Sequence, residues 1–420
     1  MNQLKQNNWI KLPLNTFVQN VIDYRGKTPP KSNDGIPLIS AANIKKGIVI
    51  LDGKFISQEV YEKWTTRGFI KSGDVLITTE APVAEVAQVP NDRTYLISRR
   101  VMALQINKLK ANENFVKYYF LYNDVKRKLQ QLSHGTTVPR LYKEDILNLE
   151  VCYPPLPVQN KIASILSAYD DLIENNTRRI KILESMAQTL YQEWFVKFRF
   201  PGHKQVKMVE SDLGLIPEGW EVEKLRKIAD INKKNINKNN APEQINYINI
   251  TSVSPGRING IETIYFDDAP SRARRLVEHG DIIWSTVRPN RKSYSLILNP
   301  IKDLVASTGF AVISAKETAY SYLYHVLTTD NFVYYLTNNA TGSAYPAVNT
   351  NDFKNADIVL PEKNIVERFN NIVEDMLFEK ENLQQKNINL RKTRDLLLPK
   401  LISGQIDVEN LDIDTGEIAA

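Results

Sequence analysis

The chain holds one cysteine, Cys152, in 420 residues. That excludes an internal disulfide framework and any zinc site built on several thiolates, and it fits a reducing compartment. Within "LEVCYPP" the residue reads as a small buried hydrophobe at a strand end. No apolar run approaches the roughly 18 residues of a membrane span, and "MNQLKQNNWIKLPL" lacks a signal-peptide core, so a cytoplasmic protein with no membrane partner is expected. The four histidines, His134, His203, His279 and His325, are scattered without metal-ligand spacing; surface or turn positions and no metal are expected. Catalytic signatures are missing as well. There is no Asn-Pro-Pro-Tyr motif of an amino-methyltransferase, and "RGKTPP" (25–30) fails as a phosphate loop, because Val21 replaces the first glycine and Pro29-Pro30 block the following helix. No catalytic residue is assigned. The acid pair Asp170-Asp171 falls in a helical stretch and is expected to face solvent, since adjacent positions do not share a helical face.

Length and charge are informative in a different way. A chain of 420 residues exceeds what one hydrophobic core usually organises, so two domains are expected. The net charge of +6 favours an anionic partner without naming it.

The strongest signal is internal repetition, which dictates fold more firmly than local propensity. Trp9 and Leu14 match Trp220 and Leu225, 211 positions on, and the offset then settles at 207. At that offset "IKSGDVLITT" (70–79) meets "VEHGDIIWST" (277–286), sharing Gly73-Asp74 with Gly280-Asp281. Pro82, Gly135, Pro139, Asp145 and Pro154 meet Pro289, Gly342, Pro346, Asp352 and Pro361. Each copy runs from short β-branched strands through a helical stretch to a long heptad-patterned segment, so a mixed α+β unit occurs twice.

In the first long segment Ile162, Tyr169, Asn176, Leu183 and Leu190 lie seven apart, with Leu166, Ile173, Ile180, Ala187 and Trp194 four residues further on. Alternating steps of four and three form a coiled-coil seam. Shifted by 207, the first ladder becomes Phe369, Met376, Leu383, Leu390 and Leu397, while the second weakens to Val373, Lys380, Asn387, Arg394 and Leu401. Pro157 and Pro361 mark helix starts, Gly202 and Gly404 mark stops, and about 40 residues would give rods of roughly 60 Å. Two arrangements satisfy this pattern: each helix packs on its own globule, or the two pair antiparallel as the chain returns between similar globules. An Asn at a seam, as at Asn176, lowers stability and can fix register.

Two globules related by an approximate two-fold axis suit two DNA half-sites. The copies differ most in "TTEAPVAEVAQVPNDRTYLISRR" against "STVRPNRKSYSLILNPIKDLVAST". In the second copy Arg272, Arg274, Arg275, Arg288, Asn290, Arg291 and Lys292 supply side chains that read base edges or grip phosphate. In the first, Arg25, Lys27, Thr78, Thr79, Arg99, Arg100, Thr136, Thr137 and Arg140 are the corresponding candidates.

Three segments carry a family resemblance: "YPPLPVQNKIASILSAYDDLIENNTRRIKILESMAQTLYQEWFVKFRFP" (153–201), "GLIPEGWEVEKL" (214–225) and "TRDLLLPKLISGQIDV" (393–408). The chain resembles the specificity subunits of bacterial type I restriction-modification systems. That resemblance implies two target recognition domains related by a pseudo-two-fold axis and separated by two long helices in an antiparallel coiled coil. It places domain 1 at 1–153, a central spacer helix at 154–200, a linker at 201–219, domain 2 at 220–360, a C-terminal spacer helix at 361–404 and an acidic tail at 405–420. It also implies double-stranded DNA as ligand and two adenine-N6 methyltransferase subunits as partners, with two restriction subunits held through them. S-adenosylmethionine, ATP and Mg2+ would be used by those partners, and none would be bound by this chain. The sequence departs from the family at Val158-Gln159 and in "LPEKNIVERF", which lacks repeated prolines. The acidic tail either packs against the N-terminal copy and closes the ring or is disordered. A protein-interaction scaffold and a specificity chain of a related single-complex endonuclease are the other readings.

Overall fold

A computed structural model describes residues 9–24, 26 and 28–413. Its contacts divide the chain into two compact units: residues 1–175 with 387–420, and residues 176–386. The division does not follow the repeat. Both long helices, Leu156–Tyr191 and Lys363–Ile402, are cut near their middles, so each unit holds one globule and half of each helix.

Unit 1 carries a four-stranded antiparallel sheet in the order Val18–Ile22, Val101–Ile106, Val75–Thr78, Val86–Gln88. Unit 2 repeats it with Ala229–Ile231, Phe310–Ala315, Ile282–Ser285 and Tyr294–Leu296. A second sheet in each unit contains a parallel pair, Ile36–Ile39 with Leu96–Ile97 and Gln244–Ile248 with Leu304–Ser307. Each globule is closed by pairing its first strand with its last, Ile10–Pro13 with Glu150–Tyr153 and Glu221–Lys224 with Asp357–Leu360. Cys152 sits in the closing strand of unit 1, half-buried. The segment expected as a linker over 201–219 carries a hairpin, Met208–Ser211 with Gly214–Pro217.

The repeated Gly-Asp pairs are structural. Gly73 and Gly280 both have φ +85°, a conformation open to glycine, and the following aspartate closes the turn. Asp74 accepts from the Lys71 amide at 2.8 Å and Asp281 from the Glu278 amide at 2.7 Å. Asp145 and Asp352 likewise accept from the amides of Tyr142 and Asn349 in matching capping boxes at short helices.

Both arrangements foreseen for the long helices occur together. In unit 1 Ile162 and Leu166 are buried against Phe115 and Tyr118 of the globule and share that core with Leu401 and Ile402. In unit 2 Ala187, Tyr191 and Trp194 share a core with Phe369, Val373 and Leu377 and with Tyr322 of the globule. Pairing is antiparallel in each unit. Residue numbers rise on one helix as they fall on the other, from Asp170–Arg394 to Ile173–Asn387 in unit 1 and from Arg179–Glu379 to Trp194–Phe369 in unit 2. Of the remaining seam positions, Asn176 and Leu383 are buried, and Tyr169, Ile180, Leu183, Leu190, Met376, Leu390 and Leu397 are half-buried.

Polar residues of the weak second ladder face inward with partners. Lys380 is buried, pairs with Glu184 at 3.0 Å and lies over the Tyr324 ring. Asn387 donates to the Ile173 carbonyl at 3.4 Å. Arg394 meets Asp170 at 2.5 Å. The expectation that Asp170 faces solvent is therefore corrected: its position turns inward and also accepts from Tyr118 at 2.6 Å and pairs with Lys117 at 3.4 Å. Burial raises the Asp170 pKa, but Lys117, Tyr118 and Arg394 outweigh it and hold the carboxyl below its ordinary range. His325 is a second correction. It lies in the core of unit 2, stacked on Tyr191, with Nδ1 at 2.7 Å from the Ser321 carbonyl, because helix Tyr320–Leu327 buries that face. Described residues of the tail pack on unit 1: Val408 joins its core, and Lys161 donates to the carbonyls of Glu409 and Leu411, both at 2.8 Å.

Two stability predictions follow from these buried groups. Asp170→Ala should cost about 3 kcal/mol, because Lys117 and Arg394 lose their shared counter-charge inside the seam, whereas Lys380→Met should change stability by less than about 1 kcal/mol, since Glu184 can hydrate. Denaturant unfolding of the two variants checks the contrast. Burial lowers the pKa of His325 from 6.5 to about 4, so the unfolded chain takes up the proton first. Stability from this group is present above about pH 6.5 and is lost as pH falls toward 4, by about 2 kcal/mol between pH 7 and 5. His325→Phe should flatten that part of the unfolding profile.

Candidate nucleic-acid interface

Each unit places two loops side by side and fastens them through a matched set of backbone bonds. In unit 1 the Thr79 amide donates to Arg100 and the Thr79 carbonyl accepts from Leu141, both at 2.9 Å. In unit 2 Thr286 donates to Gly309 at 2.8 Å and accepts from Val348 at 2.9 Å. The neighbouring loop is pinched in both copies. His134 and Arg140 exchange two backbone bonds of 2.8 Å, and Thr341 and Ala347 exchange two of 2.9 Å. Gly135 and Gly342 turn these loops at φ +93° and +99°, where a Cβ would also press on the carbonyls of Val138 and Tyr345 at 3.2 and 3.1 Å. This frame is why glycine and proline recur at matched positions: it depends on backbone geometry and leaves the side chains free to differ.

What the frame presents differs sharply. In unit 1 Glu80 is shared by Arg100 at 3.2 Å and Arg140 at 3.0 Å. One carboxylate thus offsets two of the cations expected to face an anion. Arg99, Thr136 and Thr137 are exposed beside them, and Thr79 is buried in the frame. Thr78 lies in the core, its hydroxyl accepting from the Glu85 amide at 2.9 Å, so it supports the turn from beneath. Arg25 and Lys27 lie outside the described residues.

In unit 2 Arg288, Asn290, Arg291 and Lys292 sit on one tight turn around Pro289–Arg291. Arg288 donates from Nη2 to the Ala344 carbonyl at 3.2 Å and lies over the Tyr345 ring, 4.5 Å from its centroid. Asn290 and Arg291 are exposed, and Lys292 pairs with Asp330 at 2.7 Å. Arg272 joins this end of the unit, since its carbonyl accepts from Thr308, next to Gly309 of the frame. Arg274 is turned onto Phe266, and Arg275 is tied to Asn235 at 2.9 Å with its pKa lowered by burial. Glu80, Val138 and Tyr345 escaped the sequence reading. The 207-residue offset held the signal, because it aligns Glu80 with Val287, both half-buried, and Val138 with Tyr345, both exposed.

A duplicated α+β unit with one loop frame and two unlike sets of exposed side chains defines a two-part recognition protein. Residues 18–185 and 217–388 match the type I restriction modification DNA specificity domain. The chain belongs to that family and is a type I restriction-modification specificity subunit with DNA-recognition domains. Its relatives include the type I restriction enzyme MjaIX specificity subunit of Methanocaldococcus jannaschii, 30% identical over 371 residues, covering 85% of this chain and 82% of that protein. The MjaVIII specificity subunit of the same organism is 25% identical over 426 residues, covering 96% and 94%. The crystal structure of the type I restriction-modification S subunit from M. genitalium shares the fold, with a TM-score of 0.61 at 14% identity, covering 96% of this chain and 98% of that one. Among the described residues no helix is long and apolar enough to cross a membrane.

Glu80→Gln should release Arg100 and Arg140 toward phosphate. Non-specific duplex binding should tighten, and the logarithmic salt slope should steepen by about one to two. A salt titration of duplex binding by both proteins measures this.

Proposed function

We propose that each globule reads one half of an asymmetric, interrupted DNA site, and that the chain has no catalysis of its own. The observation that carries this is the shared loop frame presenting unlike side chains, Glu80 with Arg100 and Arg140 in one unit and Arg288 with Tyr345 in the other. A common scaffold fixes where contacts form, and divergent side chains decide which bases are accepted. The helices then set the number of unread bases between the halves and dock two adenine-N6 methyltransferase subunits, with two restriction subunits held through these. S-adenosylmethionine for methyl transfer, and ATP and Mg2+ for DNA translocation, are bound by the partners. The assembled complex is the site-specific deoxyribonuclease and methyltransferase.

Co-expression with the partner methyltransferase subunit, followed by single-molecule methylation sequencing, should reveal N6-methyladenine in an interrupted motif with unlike halves. A continuous motif, or none with an active partner, refutes the reading. Removing two turns from each long helix should change the spacing or abolish binding; an unchanged spacing refutes the ruler role. A pure interaction scaffold would show no salt-dependent duplex binding, because no counterions would be released.

A further inference from the structure

Among the half-buried cations of the two loop frames, Arg288 differs from the rest in having no acidic partner among the described residues. Arg100 and Arg140 face Glu80, and Lys292 faces Asp330. No acidic side chain pairs with Arg288 among the described residues; its guanidinium rests instead on an aromatic ring and a carbonyl. Its backbone has φ +51°, a region that a bulky side chain occupies only when its surroundings impose it. The imposing contacts are on view: the Arg288 amide donates to the Pro346 carbonyl at 2.7 Å, and Pro289 follows immediately.

Geometry then restricts what this side chain can do. The guanidinium lies over the ring of Tyr345, which is 69% exposed, with its carbon 4.5 Å from the centroid. The bond to Ala344 engages Nη2 and leaves the other donors of the fork open. A planar fork held in one orientation, with its charge uncompensated, matches the paired O6 and N7 acceptors on the major-groove edge of guanine. A flexible surface cation gripping phosphate needs no aromatic ring beneath it, whereas the positive φ belongs to the turn itself, since Ala81 at the matching position of unit 1 has φ +39°. The first copy has Ala81 and Val138 at the matching positions, so the same place in unit 1 carries no guanidinium.

We infer that Arg288 reads one guanine of the half-site recognised by unit 2, with Tyr345 as the positioning residue that keeps its fork flat. This rests on the reading of each unit as a half-site reader.

The test uses the full chain in complex with its methyltransferase partner, after the motif has been mapped. Synthetic duplexes carry 7-deazaguanine at each guanine in turn, which deletes the N7 acceptor and leaves the protein untouched. One position, in one half only, should lower wild-type methylation on the order of 10- to 100-fold. Arg288→Ala should be slower on normal DNA and insensitive to that replacement. Arg288→Lys, which keeps charge without the fork, should relax that base and leave the other half intact. Tyr345→Ala should relax the same base, and Tyr345→Phe should retain it. The inference is overturned if Arg288→Lys keeps the full motif and rate, as a phosphate contact would, or if Arg288→Ala stays as sensitive as wild type to every 7-deazaguanine. A wild-type complex with no interrupted motif would refute the underlying reading instead.

Discussion

Everything in this chain depends on burying the seams of two helices, 36 and 40 residues long, that a single globule cannot cover. An amphipathic helix of that length gains most of its stability from packing its apolar face. Here the first half of the central helix packs with the last half of the C-terminal helix in unit 1, and the reverse holds in unit 2. The repeat in the sequence is thus not the unit of packing. Each compact unit borrows helix from both copies, so completing either core requires chain from both.

Such pairing must be specific, because the two seams descend from one pattern. Buried charge supplies the distinction. Unit 1 joins Asp170 to Arg394 and Lys117, whereas the matching positions in unit 2 are Leu377, Ala187 and Tyr324. Unit 2 joins Lys380 to Glu184, whereas unit 1 has Ile173 and Arg391 there. Ion pairs buried this way add little net stability, but a slipped or exchanged register would leave charges facing apolar or like-charged positions. The weak second ladder of the C-terminal helix is where these devices sit.

The fold was legible in the sequence wherever backbone geometry constrained residue type. Gly73-Asp74 with Gly280-Asp281, Asp145 with Asp352, and Gly135 with Gly342 recur because turns, caps and left-handed φ admit few residues. The heptad spacing of Ile162, Leu166 and Phe369 was readable for a similar reason, since periodicity survives without any tertiary knowledge. Partnerships across long separations were not readable. Asp170 looked solvated because its partners lie at 117, 118 and 394, and His325 looked ordinary because nothing local announces that Tyr191 and Phe369 enclose it. At the candidate interface, composition identified the cations but not that Glu80 offsets two of them, nor that Tyr345 supports one.

That division explains how one architecture can hold two readers. The loop frame is fastened by amide-to-carbonyl bonds at Thr79, Arg100 and Leu141, repeated at Thr286, Gly309 and Val348, and such bonds tolerate almost any side chain. Side chains on the frame can therefore change from Glu80 to Val287, or from Val138 to Tyr345, without altering where the loops stand. Fold and recognition are separated physically: backbone hydrogen bonds, capping aspartates and buried seams set position, and the residues projecting from that frame set chemistry. On the proposed reading, a change of recognised sequence requires only that the new side chains suit these turns, with no repacking of the cores beneath.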